Sequence, residues 1–402
     1  MLKSIKPSSK PLRIGIIAGE ASGDILGANL IVALKKIHPD IQVEGIAGPL
    51  MIKEGCKSLF PMEPFSVTGI IEVLANLREI LTIRKKIIHY FKNNPPDIFI
   101  GIDAPDANLP IELQLRQAGI LTVHYNSPTV WAWRKNRLKA IVKSTHLMLT
   151  LFPFEPEIYQ TYPISVKYVG HPLADIISEP IEKENARNTL QLPLNKPLVA
   201  LLPGSRMNEI KYLGPSFLQA AQLMLKQKPN IEFITSFISP KHCEFFLALK
   251  EKFAPELVIH TFEFQSQMVM AAADVLLLAS GTATLEGLLL RRPMVAAYRL
   301  SSITYAIVKR LIKIPYVTLP NILANKPLIP EFIQDKVTPV NLSTAVLNAL
   351  SSDFDNTTLY QEFNRIHQKL KCNANQQAAQ AILALLKEHQ DKNTPLLEGS
   401  LK

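Results

Sequence analysis

Cysteine is scarce in these 402 residues: Cys56, Cys243 and Cys372 are three in all, far apart and odd in number. That excludes a disulfide framework and favours a reducing compartment. No C-x-x-C or H-x-x-x-H spacing occurs, which argues against a structural zinc site. Charged residues are 19% of the chain, too few for a disordered polyelectrolyte. No apolar run reaches the ~18 residues of a membrane span; the longest, Met268–Ala279, carries Asp274. The first ten residues are basic and polar, so no targeting leader is expected. The chain also lacks G-x-G-x-x-G and G-x-x-x-x-G-K-[ST], which removes a dinucleotide fingerprint, an oxidoreductase reading and an ATPase loop.

What is present is a basic balance, 44 Lys+Arg against 34 Asp+Glu for a net charge of +10. Nucleic acid, an anionic membrane surface and phosphorylated substrates are the classes of partner that fit it. The basic residues are spread along the chain without stacked aromatic motifs, which counts against nucleic acid. At 47% apolar, the chain has material for two cores.

Short β-branched runs alternate with amphipathic stretches. Arg13–Gly19, Gln42–Gly48, Asp97–Asp103, Leu121–Tyr125, His146–Phe152 and Lys167–Gly170 read as strands, followed by Leu198–Pro203, Ile231–Phe237, Leu257–Thr261, Asp274–Ala279 and Met294–Tyr298. Near-continuous apolar runs suit parallel strands covered on both faces. The class is α/β: two doubly wound, Rossmann-like domains facing a central cleft, with C-terminal helices. The expected boundaries are a basic tail over 1–12, a first domain over 13–175, a Pro-punctuated linker over 176–196, a second domain over 197–340, helices over 341–388 and a polar tail over 389–402.

In such sheets ligands gather at the carboxyl ends of strands, and four ends carry unusual residues. After the first strand come Gly19-Glu20-Ala21-Ser22-Gly23-Asp24; two carboxylates in place of a lysine suit sugar hydroxyls better than phosphate, although Ser22 or Asp24 also fits a helix cap. Gly101–Asn108 follows the third strand candidate. Asp103 there closes an apolar strand and is the candidate base for an attacking hydroxyl, whereas Asp106 and Asn108 suit caps. In the second domain, Gly204-Ser205-Arg206 offers backbone N–H groups and a guanidinium to an anion. Ser280-Gly281-Thr282 at a helix start suits a diphosphate, and Glu286 just beyond suits ribose hydroxyls or a capping box.

Three other features carry plainer alternatives. Trp131 and Trp133 alternate with smaller residues, as packing at a domain edge would. His124 and His171 end strands, where a histidine is commonly structural. Asp353-Phe354-Asp355 resembles a metal-binding D-x-D, but no apolar strand leads into it, so it reads as a helix cap and no metal or cofactor is expected. Basic amphipathic helices over 77–92 and 305–314, and the apolar residues of 60–77, are candidates for an anionic membrane and acyl chains.

Taken in order, Ala18–Asp24, Gly48-Pro49, Gly101–Asp106, Ser127–Arg134, Gly170-His171-Pro172, Leu202–Arg206, Ser280–Glu286 and Leu319–Ala324 resemble the lipid-A-disaccharide synthase family, inverting glycosyltransferases of GT-B architecture. Two positions depart from the family pattern: Asn126 where an apolar residue is expected and Ala107 where an aromatic is usual. The resemblance implies transfer from UDP-2,3-diacylglucosamine to 2,3-diacylglucosamine 1-phosphate (lipid X), giving the β-1,6-linked lipid A disaccharide 1-phosphate and UDP. It implies Asp103 as base and Glu20 as a second carboxylate. Gly204, Ser205, Arg206, Ser280, Gly281 and Thr282 would hold the diphosphate, with Glu286 on ribose and Asn321, Ser22, Asp24 and Trp133 lining the substrates. It further implies a cytoplasmic enzyme, peripheral on the inner membrane. A homodimer stays open, since the C-terminal helices could return to the first domain or exchange with a partner. The rival readings are a sugar-nucleotide 2-epimerase of the same architecture and a nucleic-acid-binding protein.

Overall fold

The structure is a computed structural model, and it describes residues 11–65, 70–130, 137–301, 305, 314–351 and 358–393. The chain divides into two compact units, residues 1–175 with 370–402, and residues 176–369.

The first unit is built on seven parallel strands: β1 (Leu12–Ala18), β2 (Ile41–Ile46), β3 (Lys57–Phe60), β4 (Ile98–Ile102), β5 (Leu121–Tyr125), β6 (Leu147–Thr150) and β7 (Ser165–Tyr168), in the order β3-β2-β1-β4-β5-β6-β7. Every residue of β4 and β5 is buried, which is why both read as unbroken apolar runs. β3 was not among the expected strands: it is a four-residue edge strand with a solvent-exposed lysine. Helices α1 (Ala21–Ile37), α2 (Pro49–Lys53), α3 (Ile70–Asn93), α4 (Pro105–Gln117) and α5 (Arg137–Ser144) accompany the sheet.

The final helix, Ala374–Asn393, belongs to this same unit. Its Ala378, Ala379, Ile382, Leu383 and Leu386 are buried in the cluster that holds Leu30, Ile31 and Leu34 of α1. Asp175 fixes its start by accepting the backbone N–H groups of Asn373 and Ala374 at 2.9 and 2.6 Å.

The second unit has six parallel strands: β8 (Leu198–Leu202), β9 (Glu232–Phe237), β10 (Ile259–Glu263), β11 (Val275–Ala279), β12 (Met294–Tyr298) and β13 (Glu331–Ile333), in the order β10-β9-β8-β11-β12-β13. β13 is again a short edge strand that apolar patterning does not mark. The stretch expected as a linker contains the helix Lys183–Thr189. Its buried Arg187 donates to the Ala272 and Leu194 carbonyls and to the Asp274 carboxylate, each at 2.8–2.9 Å. Lys183 of the same helix donates to the other Asp274 oxygen at 2.8 Å.

In both sheets the strand order reverses once, between β1 and β4 and between β8 and β11. Connections leave in opposite directions at such a point and open a crevice at the carboxyl ends.

Candidate active site

In the first unit the reversal brings two turns together. Ala18 of β1 pairs with Ile102 of β4. A Cβ on Gly19 would lie 2.8 Å from the Cβ of Ala104, so only glycine admits this approach. Glu20 then opens α1, half-buried, and Asp103 stands half-buried on the adjoining turn. Asp103 and Ala104 both adopt left-handed backbone, with φ of 49° and 42°. Such geometry costs roughly 1–3 kcal/mol per residue and persists where the surroundings enforce it. Here the Asp103 N–H donates to the Tyr125 carbonyl at 2.9 Å, and the Asn108 amide donates to the Ile102 and Asp103 carbonyls at 3.0 and 2.8 Å. Among the described residues the Asp103 carboxylate has no hydrogen-bond partner, so a half-exposed, backbone-locked acid stands at the crevice.

Ser22 is exposed in the first turn of α1. Asp24 has a different task from the one expected. It is buried, and its two oxygens accept the Leu50 and Met51 N–H groups at 2.9 and 3.0 Å, capping α2 instead of α1. Both oxygens of this buried carboxylate are thus engaged by the backbone of α2.

In the second unit, β8 and β11 end side by side, with Leu202 paired to Leu278. Gly204 has φ of +124°, and a Cβ there would lie 2.3 Å from Oε2 of Glu209. That oxygen accepts the N–H groups of Ser205 and Arg206 at 3.0 and 3.2 Å. The backbone donors expected to face an anion are therefore taken by Glu209, and the Arg206 side chain, 62% exposed, is the group the turn presents. The helix Thr282–Leu289 starts at Gly281, which is exposed with open space where a Cβ would be. Ser280 Oγ donates to the Val317 carbonyl at 3.0 Å and keeps acceptor capacity. Thr282 is exposed. Glu286 lies one turn on; burial pushes its carboxyl above the usual range, with a hydrogen bond from Gln267 pulling the other way.

Asn321 also departs from expectation. It is buried; its amide donates to the Ile329 carbonyl and the Glu331 carboxylate at 3.0 and 2.8 Å, and its oxygen accepts the Leu328 and Ile329 N–H groups at 2.8 and 2.9 Å. All its bonding capacity closes the loop before β13, and none remains for a substrate. Trp133, the 305–314 helix except its end residues, and Asp353-Phe354-Asp355 lie outside the described residues. Asn126, at the first departure from the family pattern, has φ of 83°, a conformation asparagine tolerates better than an apolar residue. Ala107 packs partly buried against the cluster of Phe91 and Phe99.

The buried partner of His124 escaped sequence reading. Glu112 and His124 are fully buried and bonded at 2.6 Å, and Thr145 Oγ1 donates to the second Glu112 oxygen at 2.8 Å. The available signal was Asn108 and Glu112, four apart on α4 and so on one face, opposite a strand that carries a histidine.

Two parallel-sheet α/β units, each with a single strand-order reversal, define a GT-B-type protein. Solved structures share that fold. A putative UDP-N-acetylglucosamine 2-epimerase from Listeria monocytogenes matches with TM-score 0.63 and 13% identity, over 97% of this chain and 100% of that one. The calicheamicin glycosyltransferase CalG4 matches with TM-score 0.60 and 13% identity, over 94% and 99%. The model of the lipid-A-disaccharide synthetase family matches residues 14–382. The lipid-A-disaccharide synthase of Psychromonas ingrahamii is 47% identical over 94% of this chain and 99% of its own length, and that of Pseudomonas savastanoi pv. phaseolicola 49% over 94% and 98%. The chain belongs to the lipid-A-disaccharide synthetase family, whose members are hexosyltransferases. The family match does not favour the epimerase reading, since the likeness to epimerases reaches the fold alone. Among the described residues, no helix is long and apolar enough to cross a membrane.

Proposed function

We propose that this enzyme transfers the 2,3-diacylglucosaminyl group of UDP-2,3-diacylglucosamine to the 6-hydroxyl of 2,3-diacylglucosamine 1-phosphate, forming the β-1,6 bond of the lipid A disaccharide and releasing UDP. The carrying observation is Asp103: a half-exposed carboxylate at a strand-order reversal, locked in left-handed backbone by three hydrogen bonds. Inversion needs one in-line displacement. The acceptor oxygen bonds to the anomeric carbon as the bond from that carbon to the diphosphate breaks; the hydroxyl proton passes to Asp103, and UDP departs with the electron pair. Glu20, on the adjoining turn, holds sugar hydroxyls. The Arg206 guanidinium and the N-terminus at Gly281–Thr282 stabilise the departing diphosphate by charge and helix dipole. Loss of one such stabiliser typically costs ~3 kcal/mol, about a hundredfold in rate. Glu286, with its raised carboxyl, receives ribose hydroxyls.

The membrane reading rests on α3, where Arg78, Lys85 and Lys86 are exposed beside Leu81, itself 40% exposed. Such a face binds anionic lipid through charge and shallow apolar insertion. Sedimentation with phosphatidylglycerol vesicles but not with phosphatidylcholine vesicles is the expected result.

The direct test incubates purified protein with defined donor and acceptor and reads the product by mass. Asp103→Asn is expected to keep its fold and UDP affinity and to lose transfer by ~100-fold or more. Near-normal turnover in that variant would remove Asp103 as the base.

A further inference from the structure

We infer that a cavity at the amino ends of the second unit's strands is a binding site for a small phosphate-bearing anion, separate from the groups assigned to the donor diphosphate, with Arg291 as its principal donor. The inference does not depend on the proposed reaction.

The cavity has a volume of about 970 Å³, in the range of small-molecule sites. Pro197, Asp274 and Pro293, which immediately precede β8, β11 and β12, lie in its wall. Gly204–Arg206 and Gly281–Thr282 follow the opposite ends of β8 and β11, so a five-residue strand separates the two places, about 16 Å at ~3.3 Å per residue. Among the described residues six cations line the cavity, Lys183, Arg187, Lys196, Lys228, Arg291 and Arg292, against the carboxylates of Glu182, Glu184 and Asp274. A concave wall with an excess of one charge gathers ions of the other.

Part of that charge has a structural task. The helices Met207–Gln227, Ser266–Ala272 and Thr282–Leu289 all end here, and helix carboxyl ends attract cations. Arg187 takes the Ala272 carbonyl at 2.9 Å, and Arg292 takes those of Ala271 and Ile181 at 3.1 and 3.2 Å. Lys183 and Arg187 share Asp274, and Lys196 pairs with Glu232. Glu182 and Glu184 are exposed. Arg291 is not spent in this way. Its guanidinium lies 5.6 Å over the Tyr360 ring, with Nη1 3.5 Å from the Tyr360 hydroxyl and Nη2 3.8 Å from Glu179, a carboxylate 73% exposed to water. Its Nε–H is sealed from solvent and has no hydrogen-bond partner among the described residues. The backbone beneath it is left-handed, with φ of 57°; the Arg291 N–H donates to the Leu288 carbonyl and the Arg292 N–H to that of Gly287, each at 2.9 Å. Such a helix end usually carries glycine. A cation that served only the helix dipole could sit in the last turn without that strain. Arginine at 291 instead places a largely buried guanidinium, held by an aromatic ring, in the wall of a basic cavity, and Lys228 beside it makes no ion pair among the described residues. A phosphate group suits such a pair, since it accepts from guanidinium and ammonium together.

The test uses the full chain carrying Arg206→Ala, which weakens the site assigned to the donor diphosphate, and titrates it with inorganic pyrophosphate. Calorimetry should show saturable binding, and hydrogen–deuterium exchange should slow in residues 290–293 without change at 204–206. Adding Arg291→Gly should lower the affinity about 10- to 100-fold, the worth of a charged hydrogen bond. Glycine suits the left-handed backbone, so this variant should fold. Lys228→Gln should weaken binding in the same direction. No saturable binding overturns the proposal, as does exchange that slows only at 204–206 or 281–282, or an affinity that Arg291→Gly leaves unchanged. Phosphatidylglycerol vesicles form the second arm: slowed exchange at 290–293 with vesicles but not with pyrophosphate would identify a lipid headgroup and overturn the small soluble anion.

Discussion

Gly101→Ala is expected to destabilise the first unit, and to do so through Glu112. The added Cβ would sit 2.1 Å from Glu112 Oε1 and 3.0 Å from Asn108 Cβ, against the 3.4–4 Å of ordinary contact. Oε1 must retreat by about 1.3 Å, the difference between 3.4 and 2.1 Å, which takes it off His124 Nδ1 at 2.6 Å. Breaking a buried, bonded pair costs about 3–5 kcal/mol. Alanine returns ~0.5–1 kcal/mol, because glycine is the poorer strand residue. The net loss is roughly 2–4 kcal/mol. The assay is urea unfolding followed by tryptophan fluorescence, because both tryptophans of the chain, Trp131 and Trp133, lie in the first unit. The decisive comparison is the same substitution in a Glu112→Ala background, where the colliding oxygen is gone and Gly101→Ala should be neutral within about 1 kcal/mol. An equal loss in both backgrounds would refute the reasoning, since the strain would then reside in the strand.

Other outcomes follow from the same contacts. Arg206→Ala should weaken UDP binding ~10- to 100-fold by titration calorimetry, the worth of a charged hydrogen bond; unchanged affinity removes Arg206 from the diphosphate site. Asp24→Ala leaves the Leu50 and Met51 N–H groups without their acceptor and should cost about 2–4 kcal/mol in the same fluorescence transition. His171 is neutral in the fold because burial pushes its pKa down to about 4. Its contribution is complete above the unfolded value of ~6.5 and is lost as pH falls from there toward 4, amounting to roughly 3 kcal/mol. His171→Asn should flatten stability over that window, and an unaltered slope would show that another group titrates.

The strand-order reversals became visible only with pairing in hand, yet the residues beside them stood out beforehand, because a carboxylate or arginine at the end of an apolar run contrasts with its neighbours. Glu20, Asp103, Arg206 and Ser280–Thr282 were found by that contrast. Asp24 and Asn321 share their short motifs but turn inward to cap α2 and to close the loop before β13. No local pattern separates a polar side chain that faces a ligand from one that faces orphan backbone N–H groups, since both need the same acceptor.

Alternation of apolar runs with helical periodicity was enough to establish the α/β class, the number of sheets and the buried central strands, because burial on both faces leaves little choice of residue. Edge strands β3 and β13 lack that constraint and stayed hidden. Long-range contacts settled the rest. The last helix returns to α1, and Arg187 joins its segment to the second unit. Each of these depends on residues tens or hundreds of positions apart meeting in space, a distance over which local sequence carries no geometric information.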